Sequence, residues 1–192
     1  MTSIENIFNK RKIAVLGSRA VGKSSLIIQF TDNVFHPNYF PTIENTFTKQ
    51  INYKGREYDC DIIDTAGQDE YTPLHSRHSI GVHGYILVYS VTNRVSFEMV
   101  KKVHDKIITQ SGMANIPCVV VGQKSDLADS RQVPEEEGAR LAKELKSAFI
   151  ETSAKDASHI QDVFDKALDE IEKRALPGSQ APSKESSGCI IM

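Results

Sequence analysis

The stretch that most constrains this chain is Gly17-Ser18-Arg19-Ala20-Val21-Gly22-Lys23-Ser24. It fits G-x-x-x-x-G-K-[ST], a loop whose backbone N–H groups cradle phosphates. The flanks are those the loop requires. Lys12-Ile13-Ala14-Val15-Leu16 is a short apolar run and reads as a buried strand, and Ser25-Leu26-Ile27-Ile28-Gln29-Phe30 reads as the helix that follows, to about Thr31. A helix N-terminus favours negative charge, and a curled run of N–H groups forms an anion nest in front of it. Gly17 and Gly22 allow backbone angles and close approaches that a Cβ would block. Lys23 can set its ammonium against the β- and γ-phosphates, and the Ser24 hydroxyl can ligate Mg²⁺. A chance glycine-rich turn would not arrive with strand, Lys-Ser and helix in register.

A length of 192 residues suits one domain with a full core. A net charge of −2 offers no global attraction to nucleic acid, and none is expected as a partner. No apolar run is long enough to cross a bilayer. Met1-Thr2-Ser3-Ile4-Glu5-Asn6 does not read as a signal peptide, and Thr2 argues against myristoylation. Cys60, Cys118 and Cys189 lie far apart. The first two sit in strand-like runs as buried thiols, and a cytosolic setting without disulfides is expected.

Residues 1–10 read as a lead-in, 11–174 as the domain and 175–192 as a disordered Ser/Pro-rich tether. Residues 32–44 lack periodicity and read as a surface loop, the kind of segment that often carries function. Thr46 to Tyr53, a turn at Lys54-Gly55, and Glu57 to Ile63 read as a hairpin. Tyr85 to Ser90 and Cys118 to Gly122 are continuous apolar strands, as in a sheet covered on both faces. Helical spacing follows over 95–108 and 135–146, then a last strand over Ala148–Thr152 and an amphipathic helix carrying Ile160, Val163, Phe164, Ala167, Leu168 and Ile171. The expected fold class is α/β: a six-stranded, mostly parallel sheet with one antiparallel edge strand from the hairpin, and helices on both faces. His75 and His78 have no partner cluster and read as surface residues.

Three further motifs bear on chemistry. Asp64-Thr65-Ala66-Gly67-Gln68 closes the hairpin. There Asp64 lies near the Mg²⁺, Gly67 offers an N–H to a γ-phosphate, and Gln68 can orient a water. Thr42, in the irregular loop, can complete the Mg²⁺ shell only when a γ-phosphate is present, an order–disorder switch. Gln123-Lys124-Ser125-Asp126 ends a strand at the sheet edge where ligands sit. The Asp126 carboxylate can accept from guanine N1–H and its 2-amino group together, a donor pair that adenine lacks. The stem of Lys124 can lie against the base, and Ser153-Ala154-Lys155 can close over it.

Taken in order, G-x-x-x-x-G-K-S, Thr42, D-T-A-G-Q, K-x-D and S-A-K resemble the Ras-type small GTPases over residues 12 to about 173, most closely the Rheb-like branch. Arg19, the run Pro41-Thr42-Ile43-Glu44-Asn45-Thr46-Phe47-Thr48-Lys49 and the modest tail carry the branch. The resemblance implies cycling between GTP and GDP with Mg²⁺ and slow intrinsic hydrolysis in a monomer. It implies nucleotide contacts from Arg19, Ala20, Val21, Gly22, Lys23, Ser24, Ser25, Tyr39, Thr42, Gly67, Gln123, Lys124, Asp126, Ser153, Ala154 and Lys155. Ser24, Thr42 and Asp64 would hold the metal; Lys23, Thr42, Gln68, Arg19 and Tyr39 would bear on hydrolysis. Tyr39, Pro41, Thr42, Ile43, Glu44, Asn45, Thr46 and Phe47 would meet the effector, the target-of-rapamycin kinase complex. A tuberin-type GTPase-activating protein would switch the chain off. The family's base motif starts with Asn; Gln123 is one methylene longer, which bears on nucleotide affinity.

Cys189-Ile190-Ile191-Met192 is a C-a-a-X ending, and Met at X favours farnesyl, so farnesyltransferase is an expected partner. Lys184 is the nearby basic residue, and one lipid without a polybasic patch binds weakly and reversibly. The cytoplasmic face of endomembranes, with exchange into cytosol, is the expected location. Two other readings compete: a P-loop ATPase or nucleotide kinase, which the 123–126 motif opposes, and a nucleotide-loaded scaffold with negligible turnover, which Arg19 and Gln123 suggest.

Overall fold

The computed structural model describes residues 9–38, 41–113 and 115–175. Tyr39, most of the expected lead-in and the tail with Cys189 lie outside the described residues. Strand β1 (Lys10–Gly17) is followed by helix α1 (Lys23–Asp32), the hairpin of β2 (Glu44–Tyr53) and β3 (Arg56–Thr65), then β4 (Gly84–Ser90), α2 (Arg94–Ser111), β5 (Cys118–Gln123), α3 (Glu135–Glu144), β6 (Ala148–Thr152) and α4 (Ile160–Ala175). The strands form one six-stranded sheet in the order β2-β3-β1-β4-β5-β6. Only β2 runs antiparallel, against β3; the other pairings are parallel. This is the α/β sheet read from the sequence. Lys10 already pairs with Asp59, and α4 runs to Ala175.

The interior strands alternate between two cores. Ile13 and Val15 face Leu26, Phe30, Phe164 and Leu168, beneath α1 and α4. Ala14 and Leu16 face Val100, Val103, Ile107 and Ala142, beneath α2 and α3. Every residue of β4 and β5 is buried, as a strand covered on both faces requires. The Phe30 and Phe164 rings stack 3.7 Å apart, tying the first helix to the last. The helix ends follow local chemistry. Asn93 caps α2 by accepting from the Ser96 N–H at 3.0 Å, and Gly112 closes it in the left-handed conformation. Glu135, Glu136 and Glu137 occupy the first turn of α3, where the dipole favours acids.

His78 corrects the sequence reading. It is buried, because the short turn Ser76–His78 tucks it against the start of β2. Its Nε2 lies 2.8 Å from Glu44 Oε2, and Arg77 Nε lies 3.1 Å from the other oxygen of that carboxylate. The partner comes from 34 residues upstream, a closeness that local spacing cannot reveal.

Candidate functional site

Parallel register brings the motifs to one edge of the sheet. Val15 pairs with Asp64, Gly17 with Val88, Ser90 with Gln123, and Gln123 with Thr152. The phosphate loop, the end of β3, the end of β5 and the loop after β6 therefore open on the same side. Ligands in open α/β sheets sit at this carboxyl edge, where the chain switches direction about the first strand. A cavity of about 1370 Å³ lies there.

The end of the cavity nearest Gly17 and Gly22 is built on close backbone contacts. Gly17 has φ +150°, and a Cβ there would lie 2.1 Å from the Val88 carbonyl oxygen. Gly22 has φ +103° and opens α1 without a side-chain cap, leaving the first N–H groups of the helix facing the cavity. Lys23 is 6% exposed, and its Nζ donates to the carbonyls of Gly17 (3.1 Å) and Ser18 (2.8 Å). Burial lowers its pKa from 10.5 to about 8, with the Asp64 charge pulling the other way. Ser24 Oγ and Thr42 Oγ1 lie 2.7 Å apart. Burial pushes the Asp64 carboxyl up, against opposing contributions from Ser24 and Lys23. Its Oδ1 is buried without a hydrogen-bond partner. A buried carboxylate oxygen left bare beside two hydroxyls is a donor set of hard oxygens, and it fits Mg²⁺.

The other end of the cavity is set by Gln123. Its Oε1 accepts from the N–H groups of Lys124 (2.6 Å) and Ala154 (3.3 Å), tying β5 to the loop after β6. Its Nε2 is buried without a partner. A Cβ on Gly22 would lie 2.8 Å from Gln123 Cγ, so the longer side chain uses the space this glycine leaves. Lys124 Nζ donates to the Ala20 carbonyl at 2.8 Å, which lays its stem across the cavity mouth. Ser153 Oγ donates to Asp126 Oδ1 at 2.7 Å and accepts from the Asp156 N–H, holding the carboxylate in place.

Most of the residues expected from sequence meet here. Arg19, Ala20, Gly22, Lys23, Ser24, Ser25, Pro41, Thr42, Asn45, Phe47, Asp64, Gly67, Gln123, Lys124, Asp126, Ala154 and Lys155 line the cavity. Val21 instead sits in the core, and Ser153 acts through Asp126. Ile43 is 91% exposed, pointing out to solvent, while Glu44 turns inward to Arg77 and His78. Gln68 is buried outside the lining, its amide donating to the Ala66 carbonyl at 2.9 Å. The Arg19 guanidinium is largely exposed and lies 3.9 Å from Asp69. Ile28, Phe35, His36, Pro37, Asn38 and Leu127 also line the cavity and were not singled out from sequence. Phe35, His36, Pro37 and Asn38 fall in the aperiodic 32–44 loop, whose irregularity was the available signal.

A Ras family model matches residues 12–173, from within β1 to within α4. The chain is 55% identical over 181 residues to the GTP-binding protein rhb1 of Schizosaccharomyces pombe, covering 94% of this chain and 96% of that protein. It is 50% identical over 186 residues to the small monomeric GTPase RhbA of Aspergillus fumigatus, covering 95% and 97%. It is 48% identical over 182 residues to the GTP-binding protein Rheb of Homo sapiens, again covering 95% and 97%. With a family match over residues 12–173 and relatives of about this identity over nearly their full length, the chain belongs to the Ras family of small GTPases, GTP hydrolases that hold GTP or GDP with Mg²⁺.

Proposed function

We propose that this protein is a membrane-tethered switch of the Rheb type. It hydrolyses GTP slowly, is switched off by a tuberin-type activating protein, and activates the target-of-rapamycin kinase complex when GTP-bound. One observation carries the reading. A single cavity holds a phosphate end, made by Lys23, Ser24, Thr42 and Asp64, and a base end, made by Gln123, Lys124 and Asp126. The near-full-length likeness to Rheb proteins supports the branch.

Each residue has a task. Lys23 exchanges its two carbonyl partners for phosphate oxygens and offsets the charge that spreads during phosphoryl transfer. Mg²⁺, when bound, would supply charge neutralisation at the phosphates. Ser24, Thr42 and Asp64 would hold it, Thr42 only in the GTP state. Asp126 selects guanine, and Ala154 and Lys155 cover the base. Ile43, exposed beside Thr42, presents the effector region. Farnesylation at Cys189 supplies reversible attachment to endomembranes.

Slow turnover is supported by Gln68, whose amide faces Ala66 rather than the cavity. The exposed Arg19 side chain favours solvent over a finger turned back on the phosphates. Single-turnover GTP hydrolysis on the wild type, Arg19→Gly and Gln68→Leu tests this. We expect slow turnover, no reduction for Arg19→Gly and a small loss for Gln68→Leu. A collapse for Arg19→Gly would establish a finger in cis, and a collapse for Gln68→Leu would restore direct water positioning. The same buried amide favours a second reading, a loaded scaffold with negligible turnover; hydrolysis stimulated by an activating protein argues against it.

A further inference from the structure

The segment directly after Gln68 is held by a lysine from another element. Lys106, in the C-terminal half of α2, donates from one ammonium to three backbone carbonyls: Asp69 (3.1 Å), Glu70 (2.8 Å) and Thr72 (2.9 Å). The segment is closed on its other side by Asp69, whose Oδ1 accepts from the Tyr71 N–H, the Thr72 N–H and the Thr72 hydroxyl. Those bonds turn the N–H groups inward and leave the carbonyls pointing at Lys106. One turn of helix earlier, Lys102 Nζ lies 3.0 Å from the Glu70 carboxylate. Ammonium–carbonyl bonds are charge-assisted and stronger than those between neutral groups. Gln68 is also pinned from the front. Its N–H donates to the Gly17 carbonyl at 2.9 Å, and Gly67 lies against the Arg19 backbone so closely that a Cβ would sit 2.6 Å from Arg19 Cα.

We infer that Lys106 is a positioning residue for GTP hydrolysis: by fixing residues 69–72 it keeps the Gln68 amide on the Ala66 carbonyl and away from the phosphate end of the cavity. The inference rests on the reading of Gln68 as the residue able to orient water. The chain around Gln68 is anchored at Gly17 before it and at Lys106 after it, so the side chain has little backbone freedom to swing. Of the two anchors, the Gly17 bond belongs to the phosphate loop itself. The Lys106 bonds come from α2, outside the cavity, and are the ones a substitution can remove without touching the nucleotide.

Lys106→Met keeps the stem and removes the ammonium. We expect intrinsic single-turnover hydrolysis to rise roughly five- to tenfold, the equivalent of one ordinary net hydrogen bond and so only part of the clamp removed. Amide hydrogen exchange at Tyr71 and Thr72 should quicken with it, since their opening no longer breaks the clamp. In the Lys106→Met background, Gln68→Leu should abolish the gain, a non-additivity that general loosening would not produce. Lys106→Arg, which keeps the charge, should stay near the wild-type rate. GDP affinity and melting temperature establish that each variant is folded, and Lys106→Gln replaces any that is not. Quicker exchange with an unchanged rate overturns the inference through Gln68, which then does not orient water here. Unchanged exchange together with an unchanged rate overturns it through Lys106, which then does not hold the segment.

Discussion

Lys23 should make nucleotide binding fall as the pH rises through about 8. The side chain is 6% exposed, and burial lowers its pKa to about 8, the Asp64 carboxylate opposing. Phosphates attract only the ammonium form. A group with a pKa of about 8 is roughly nine-tenths protonated at about pH 7 and one-tenth at about pH 9. The apparent association constant for GDP should therefore be about tenfold lower at the upper pH, or ~1.4 kcal/mol. Folding without nucleotide should respond in the opposite sense. The folded pKa lies below the ordinary 10.5, so the unfolded chain binds more protons between the two values. Stability of the nucleotide-free domain then rises with pH across that window, by roughly 3 kcal/mol in all. The assay is displacement of a fluorescent GDP analogue at constant ionic strength, taken no higher than about pH 9 because guanine N1–H itself begins to ionise there. Lys23→Arg stays charged throughout and should show a flatter profile. Equal GDP affinity at both pH values, or the same slope in Lys23→Arg, would refute the argument.

Other outcomes follow from the same geometry. Asp126→Asn should move base preference from guanine towards xanthine, whose C2 carbonyl accepts from the new amide; competition by XTP and GTP reads this, and equal loss of both would mean Asp126 only braces Ser153. Gly17→Ala should destabilise the domain by about 3 kcal/mol or more, because its φ is +150° and the new Cβ would strike the Val88 carbonyl; chemical denaturation measures it, and a loss below ~1 kcal/mol would mean the strand end shifts freely. His78→Ala should cost about 1–3 kcal/mol, since it empties a buried site and strips the Glu44 carboxylate of a partner, and an unchanged melting temperature would refute it. Cys189→Ser should leave the protein in the soluble fraction with GDP binding intact, since a prenyl chain contributes about 0.8 kcal/mol per buried CH₂; persisting membrane association would require another anchor.

The sequence determined the elements and the kind of chemistry. Phosphate binding is legible because it needs contiguous residues: a nest of N–H groups, two glycines and a Lys-Ser pair fit within a single loop. The candidate base motif is legible for the same reason, since Asp126 stands in a short motif at a strand end. Continuous apolar runs announced β4 and β5 because a strand buried on both faces has no polar side to show. What the sequence leaves open depends on neighbours that are far apart in the chain. Gln123 reads as too long for its role, yet Gly22, about a hundred residues away, leaves room for its extra methylene. His78 reads as a surface residue until β2 brings Glu44 beside it. Gln68 reads as a water-orienting group, but the direction of its amide is decided by Ala66, Gly17 and Lys106 together. Local pattern fixes which backbone conformation and which functional groups a segment has. Only the packed sheet, by setting which strand ends lie side by side, decides what those groups face.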